Sequence, residues 1–152
     1  MSQVADSIWI RASTEAVYDF AWRPERATEW IAGMIGIADV RPGNSETGLG
    51  YRFAWTYRMA GLTFHGINEV IEAERPRRMV EQATGDLDST WTWIFTPEAG
   101  GTRVRLTVTY TPPFGVPGRL LDPVVLRSLN RRALQRTLAN LKQILESCQE
   151  PA

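Results

Sequence analysis

His65 is the only histidine in the chain, so proton transfer by an imidazole near neutral pH has a single candidate. Whether it can serve depends on which face of a strand it occupies. If Ala60-Gly61 is a two-residue turn, Met59 pairs with Leu62 and Tyr57 with Phe64, which sends Phe64 inward and His65 to the outer face. A bulge or a three-residue loop reverses this and puts His65, Ile67 and Glu69 inside. The shorter turn is the favoured reading. Glu69, Glu72, Glu74 and Glu81 could support acid/base work if one of them were buried among aromatic residues, where its pKa would rise; the ordinary place for a strand carboxylate is in solvent. With the Tyr57 phenol as a further proton carrier, the catalytic candidates are His65, Tyr57 and Glu69.

None of these residues falls into a metal-ligand spacing, and a single cysteine, Cys148, offers no thiolate cluster, so neither a metal nor another cofactor is expected. Nucleophile-elbow, phosphate-loop and zinc-protease patterns are absent. Gly48-Leu-Gly50 runs into a strand rather than a helix and makes no dinucleotide fingerprint.

The elements that must position these groups are legible from periodicity. Val4 to Arg11 alternates as a first strand. Ser13 offers an N-cap to a short helix with Ala16, Val17, Phe20 and Ala21 at helical spacing, and Pro24 suits the first turn of a second helix that Gly33 stops. About six further strands follow, separated by turn residues such as Pro42-Gly43-Asn44, Ala60-Gly61, Arg75-Pro76 and Gly100-Gly101. In the clearest of them Tyr51, Phe53, Trp55, Tyr57 and Met59 alternate with Arg52, Ala54, Thr56 and Arg58; Trp91, Trp93 and Phe95 repeat the pattern, as do Val104, Leu106, Val108 and Tyr110. After Thr111-Pro-Pro-Phe-Gly-Val-Pro-Gly118 a long amphipathic helix carries Leu126, Ala133, Leu134, Leu138, Leu141, Ile144 and Leu145 on one face. The fold class is therefore α+β: a curved antiparallel sheet of about seven strands wrapped around a long C-terminal helix, in one domain over 1–152. A sheet closed by one helix tends to leave a hollow suited to small apolar molecules.

Composition narrows the partners. Seventeen basic residues balance seventeen acidic ones, so no bulk field draws the chain to nucleic acid or an anionic membrane, and Arg127, Arg131, Arg132 and Arg136 read as a solvated helix face. The longest apolar run, Trp30 to Ala38, is too short to cross a bilayer. The N-terminus lacks the basic start and apolar core of a signal peptide, which with the lone cysteine suggests a cytoplasmic protein, monomeric or homodimeric.

Ala12-Ser-Thr-Glu-Ala-Val-Tyr-Asp-Phe20, Trp30, Gly48-Leu-Gly-Tyr-Arg-Phe53, Glu72-Ala-Glu-Arg-Pro-Arg-Arg-Met79 and Gly100-Gly-Thr-Arg-Val104 resemble the recurring signals of the START-like, or Bet v 1-like, helix-grip superfamily, in its polyketide cyclase/dehydrase branch. The likeness covers nearly the whole chain. It departs at Arg23, where that family commonly has a small polar or acidic cap before the second helix. The resemblance implies a cavity between sheet and long helix. In a solid sandwich the aromatic rows would simply be core; in a helix-grip fold they line the cavity. On that footing Tyr51, Phe53, Trp55, Tyr57, Phe64, Trp91, Trp93, Phe114, Leu126, Asn130 and Leu134 are the expected ligand contacts, and the loop around Phe114 is a candidate gate.

Three functions stay open. The leading one is binding of a small hydrophobic or aromatic, polyketide- or lipid-like ligand. The second is a polyketide cyclase/aromatase/dehydratase-like enzyme working in the same cavity. The third is an accessory interaction protein whose cavity has filled in.

Overall fold

The structure is a computed structural model that describes residues 2–113 and 122–149. The alternating segments form seven strands: β1 (Ser2–Ile10), β2 (Met34–Arg41), β3 (Arg52–Met59), β4 (Leu62–Glu74), β5 (Arg78–Gly85), β6 (Asp88–Glu98) and β7 (Gly101–Thr111). Helices α1 (Thr14–Trp22) and α2 (Ala27–Trp30) separate the first two strands, and α3 (Pro123–Gln149) follows the last. All seven strands join one antiparallel sheet in the order β1-β7-β6-β5-β4-β3-β2. The expected helix-grip architecture is thus the observed one.

Local chemistry sets the element ends. The Ser13 hydroxyl accepts from the Ala16 N–H and caps α1 (3.2 Å). At α2 the capping residue is Arg26, whose side chain makes no cap bond and pairs instead with Glu29; Arg23 lies over the Trp22 ring. Asp122 caps α3 by accepting from the Val124 N–H (2.9 Å), with Pro123 in the first turn, where its missing N–H costs nothing.

The apolar stripe of α3 is laid on the sheet as the sequence suggests: Leu126, Leu134, Leu138, Leu141 and Leu145 are all buried. Polar ties fix its rotation and depth. Lys142 Nζ donates to the Trp9 carbonyl (2.7 Å) and Thr137 Oγ1 accepts from the Ala32 N–H (3.0 Å). Arg127, Arg131, Arg132 and Arg136 face solvent.

The core is dense at one end. Trp30 packs edge-on against Trp93, which stacks on Phe95, and all three rings are buried. Towards the other end, past Trp55 and Trp91, sheet and helix part.

Candidate functional site: an apolar cavity with one buried acid

The turn between β3 and β4 decides which side chains reach the space under α3. Ala60 and Gly61 both adopt positive φ (52° and 81°), the conformation of a tight hairpin whose twist matches its strands. Met59 therefore pairs with Leu62, Tyr57 with Phe64 and Thr56 with His65. Phe64 is buried and His65 is on the outer face, its side chain 68% exposed and 3.8 Å from Asp86. Glu69 shares that outer face and meets Arg52 (3.5 Å). Glu72 pairs with Arg78 (2.8 Å), and Glu74 is exposed.

The inner face opens onto a cavity of about 100 Å³, counted as space open to the centres of water molecules. Phe53, Trp55, Tyr57 and Met59 of β3 form one wall; Trp91 of β6 with Val108 and Tyr110 of β7 form the other. Leu126 and Asn130 of α3 close it from above, Ile31 and Met34 at one side. Leu87, just before β6, and Asp88 and Ser89 at its start, with Thr111 and Pro113, complete the lining.

Two polar residues enter this wall from β4 and β5. Asn68 follows Phe64 and Gly66 at alternate positions, and Glu81 sits between Met79 and Ala83 on the inner face of β5. Val70 pairs with Glu81, and the ladder then shifts register before Glu72, so Glu81 flanks an irregularity of the kind that re-aims side chains. Asn68 Nδ2 donates to Glu81 Oε2 (2.7 Å) and Trp93 Nε1 donates to Glu81 Oε1 (2.9 Å). Burial outweighs both hydrogen bonds and pushes the Glu81 carboxyl up to about 7, because the charged form gives up its water and gains no cation. Burial raises the Tyr57 phenol as well. The Trp55 indole N–H is buried and finds no acceptor among the described residues, while that of Trp91 donates to Ser89 Oγ (3.1 Å).

The match to known proteins agrees with this geometry. A family model described as polyketide cyclase / dehydrase and lipid transport matches residues 1–146. The chain belongs to that family. Solved structures with the same fold include protein TTHA0849 from Thermus thermophilus, 24% identical over 98% of this chain and 100% of that one, with a TM-score of 0.82. A START superfamily protein from Mycobacterium smegmatis is 14% identical over 97% and 99% of the two chains, with a TM-score of 0.77. The di-domain ARO/CYC BexL from the BE-7585A biosynthetic pathway is 18% identical, with a TM-score of 0.70; the match covers 99% of this chain and 51% of BexL. No curated protein matches the chain.

Within this family member, the residues singled out from sequence divide by position. Phe53, Trp55, Tyr57, Trp91, Leu126 and Asn130 come together on the cavity wall. Trp93 lies one layer deeper and touches the site through Glu81. Tyr51 packs on Trp22 (4.7 Å between ring centroids), and Phe64 and Leu134 are core residues away from the lining. Phe114 and most of the candidate gate lie outside the described residues. Asn68 is not among the candidates drawn from sequence, and Glu81 is there only as one of four carboxylates. Strand parity carried the signal for both: Asn68 is in step with Phe64 and Val70, and Glu81 with Met79 and Ala83.

Among the described residues no three His, Cys, Asp or Glu side chains are grouped to hold a metal. No helix among them is long and apolar enough to cross a membrane.

Proposed function

We propose that the protein binds a small, largely apolar molecule, polyketide- or lipid-like, in the cavity between sheet and α3. The observation that carries this reading is a continuous aromatic and aliphatic wall interrupted by only a few polar groups, the usual make-up of a site that takes its affinity from apolar burial and its orientation from hydrogen bonds. The open cavity also counts against the filled-cavity alternative. N-phenylnaphthylamine, an uncharged apolar fluorophore, is expected to bind with enhanced emission and quenched tryptophan fluorescence. Trp91 is only half-buried, so Trp91→Ala should keep the fold and weaken the probe by roughly tenfold, about 1.4 kcal/mol. Undiminished binding in a folded Ala83→Phe variant, which places a ring in the cavity, would move the site elsewhere.

A second reading is favoured by Glu81, an acid poised near neutrality on the wall of an apolar site, as general acid/base chemistry requires. It would move a proton at a bound ketone, as aldol closure or dehydration in a cyclase-like reaction demands. The test is deuterium exchange at the α-carbon of bound acetonaphthone, followed by NMR. Glu81→Gln should abolish any protein-dependent exchange, whereas His65→Ala, on the outer face, should leave both exchange and probe affinity unchanged. Loss of exchange in His65→Ala with Glu81→Gln still active would return the proton transfer to the imidazole.

A further inference from the structure

Among the described residues the few polar groups of the cavity wall are mostly donors, and none is a cation. Trp55 has a buried, unpartnered indole N–H. Asn68 uses one amide proton on Glu81 and keeps a second. Tyr57 and Tyr110 bring phenols. Both Glu81 oxygens accept a hydrogen bond from a neutral donor, so a proton on that carboxyl is available to a guest, with water and the Asn68 amide oxygen as its competitors. No Lys, Arg or His among the described residues lines the cavity. Among the described residues, the titratable groups that face Glu81 or the cavity from the surrounding elements are Tyr18 on α1, Tyr57 on β3, Asp88 at the start of β6 and Tyr110 on β7; α3 turns uncharged Leu126 and Asn130 to it, and α2 the indole of Trp30, while the charged residues of these elements lie on their other faces.

We propose that the cavity selects its guest by charge: it takes uncharged molecules that present a carbonyl oxygen to Glu81 and the neighbouring donors, and it refuses carboxylates of the same shape. This rests on the cavity being the binding site. A carbonyl oxygen accepts what the wall offers and leaves no buried charge. A carboxylate in the same place is desolvated without a cation to pair with, beside an acid it would compete with for one proton. A fatty-acid-like guest bound by its head group is therefore the wrong class, and a ketone, ester or lactone the right one. An ammonium guest is the opposite case: it needs Glu81 ionised and would draw on the aromatic faces for cation–π attraction.

The three classes separate in a calorimetric series on one hydrocarbon body: acetonaphthone, naphthoate and naphthylmethylamine, each titrated at about pH 5.5 and about pH 8.5. The ketone should bind at least tenfold tighter than naphthoate at the lower pH and lose several-fold in affinity at the higher one, as Glu81 surrenders its proton. In Glu81→Gln, whose amide still donates, the ketone should bind equally at both pH values and naphthoate should gain. Naphthoate matching the ketone, the amine binding tightest, or a ketone affinity that ignores pH in the native protein each overturns the charge filter while leaving the cavity as a binding site. If neither these compounds nor N-phenylnaphthylamine binds at all, the cavity reading falls and the filter with it.

Discussion

Glu81→Gln should remove a pH dependence of roughly 3 kcal/mol from the folding free energy, which follows from a carboxyl raised from 4.5 to about 7 by burial. In the unfolded chain Glu81 ionises through its ordinary range, while in the folded chain it keeps its proton until about 7. Between those two values the folded state binds more protons, so its stability falls as pH rises and levels off once both states are ionised. The effect is opposite in sign to that of a salt-bridged carboxylate, which stabilises as it ionises. Urea unfolding midpoints measured on the acid and alkaline sides of this window should drop for the native protein and drop much less for Glu81→Gln. Parallel profiles for the two proteins would mean that Glu81 is ionised in the fold, through water or a relaxed side chain, and would take the proton donor out of the cavity.

That such a costly residue occupies an inner-face position is itself informative. Leucine there would pack without an ionisation cost, but Trp93 Nε1 and Asn68 Nδ2 would then lose their acceptor inside the core. The three residues form a small polar unit in an otherwise apolar wall, and that unit gives the cavity its chemical direction.

Sequence showed the sheet, its hairpins and the long helix because each depends on local periodicity. The outward His65 followed from the two-residue turn at Ala60-Gly61, since a hairpin of known length fixes every side chain beyond it. The same parity along β4 places Asn68 and Val70 inside, and the pairing of Val70 with Glu81, just before the register shift, brings Glu81 to that face. Residue type points the other way, because a glutamate on a strand is ordinarily solvated, and here period prevails over type. Depth was not legible. Alternation tells which face a ring occupies but not where sheet and helix diverge, so Trp93 in solid core and Trp91 on the cavity wall, two residues apart on one face, look alike in the sequence. Tyr51 likewise continues the alternation of β3, its carbonyl still accepting from the Val70 N–H, but its ring packs on Trp22 rather than on the cavity.

Gly66→Ala should couple a loss of stability to a loss of ligand binding. Gly66 stands opposite Trp55 across the β3–β4 ladder, on the same inner face. A Cβ at Gly66 would run into the Trp55 indole ring and the Thr84 carbonyl. The strand carries glycine here because the indole lies flat over the backbone, where it forms part of the cavity wall. An added methyl must displace the ring or the neighbouring strand, and overpacking of this kind costs about 3 kcal/mol at the upper end of its range. A displaced Trp55 no longer lines the cavity, so affinity for N-phenylnaphthylamine should fall by roughly tenfold or more in whatever fraction remains folded. Gly36→Ala is the matched control, since a Cβ there makes only ordinary contact with Thr56, 3.5 Å away, and β2 has no strained φ at that position. It should be neutral or stabilising by about 0.5 kcal/mol, because alanine restricts the unfolded chain more than glycine does. If both variants bind the probe and unfold alike, Trp55 is not held by Gly66, and the placement of the indole that defines one wall of the site is wrong.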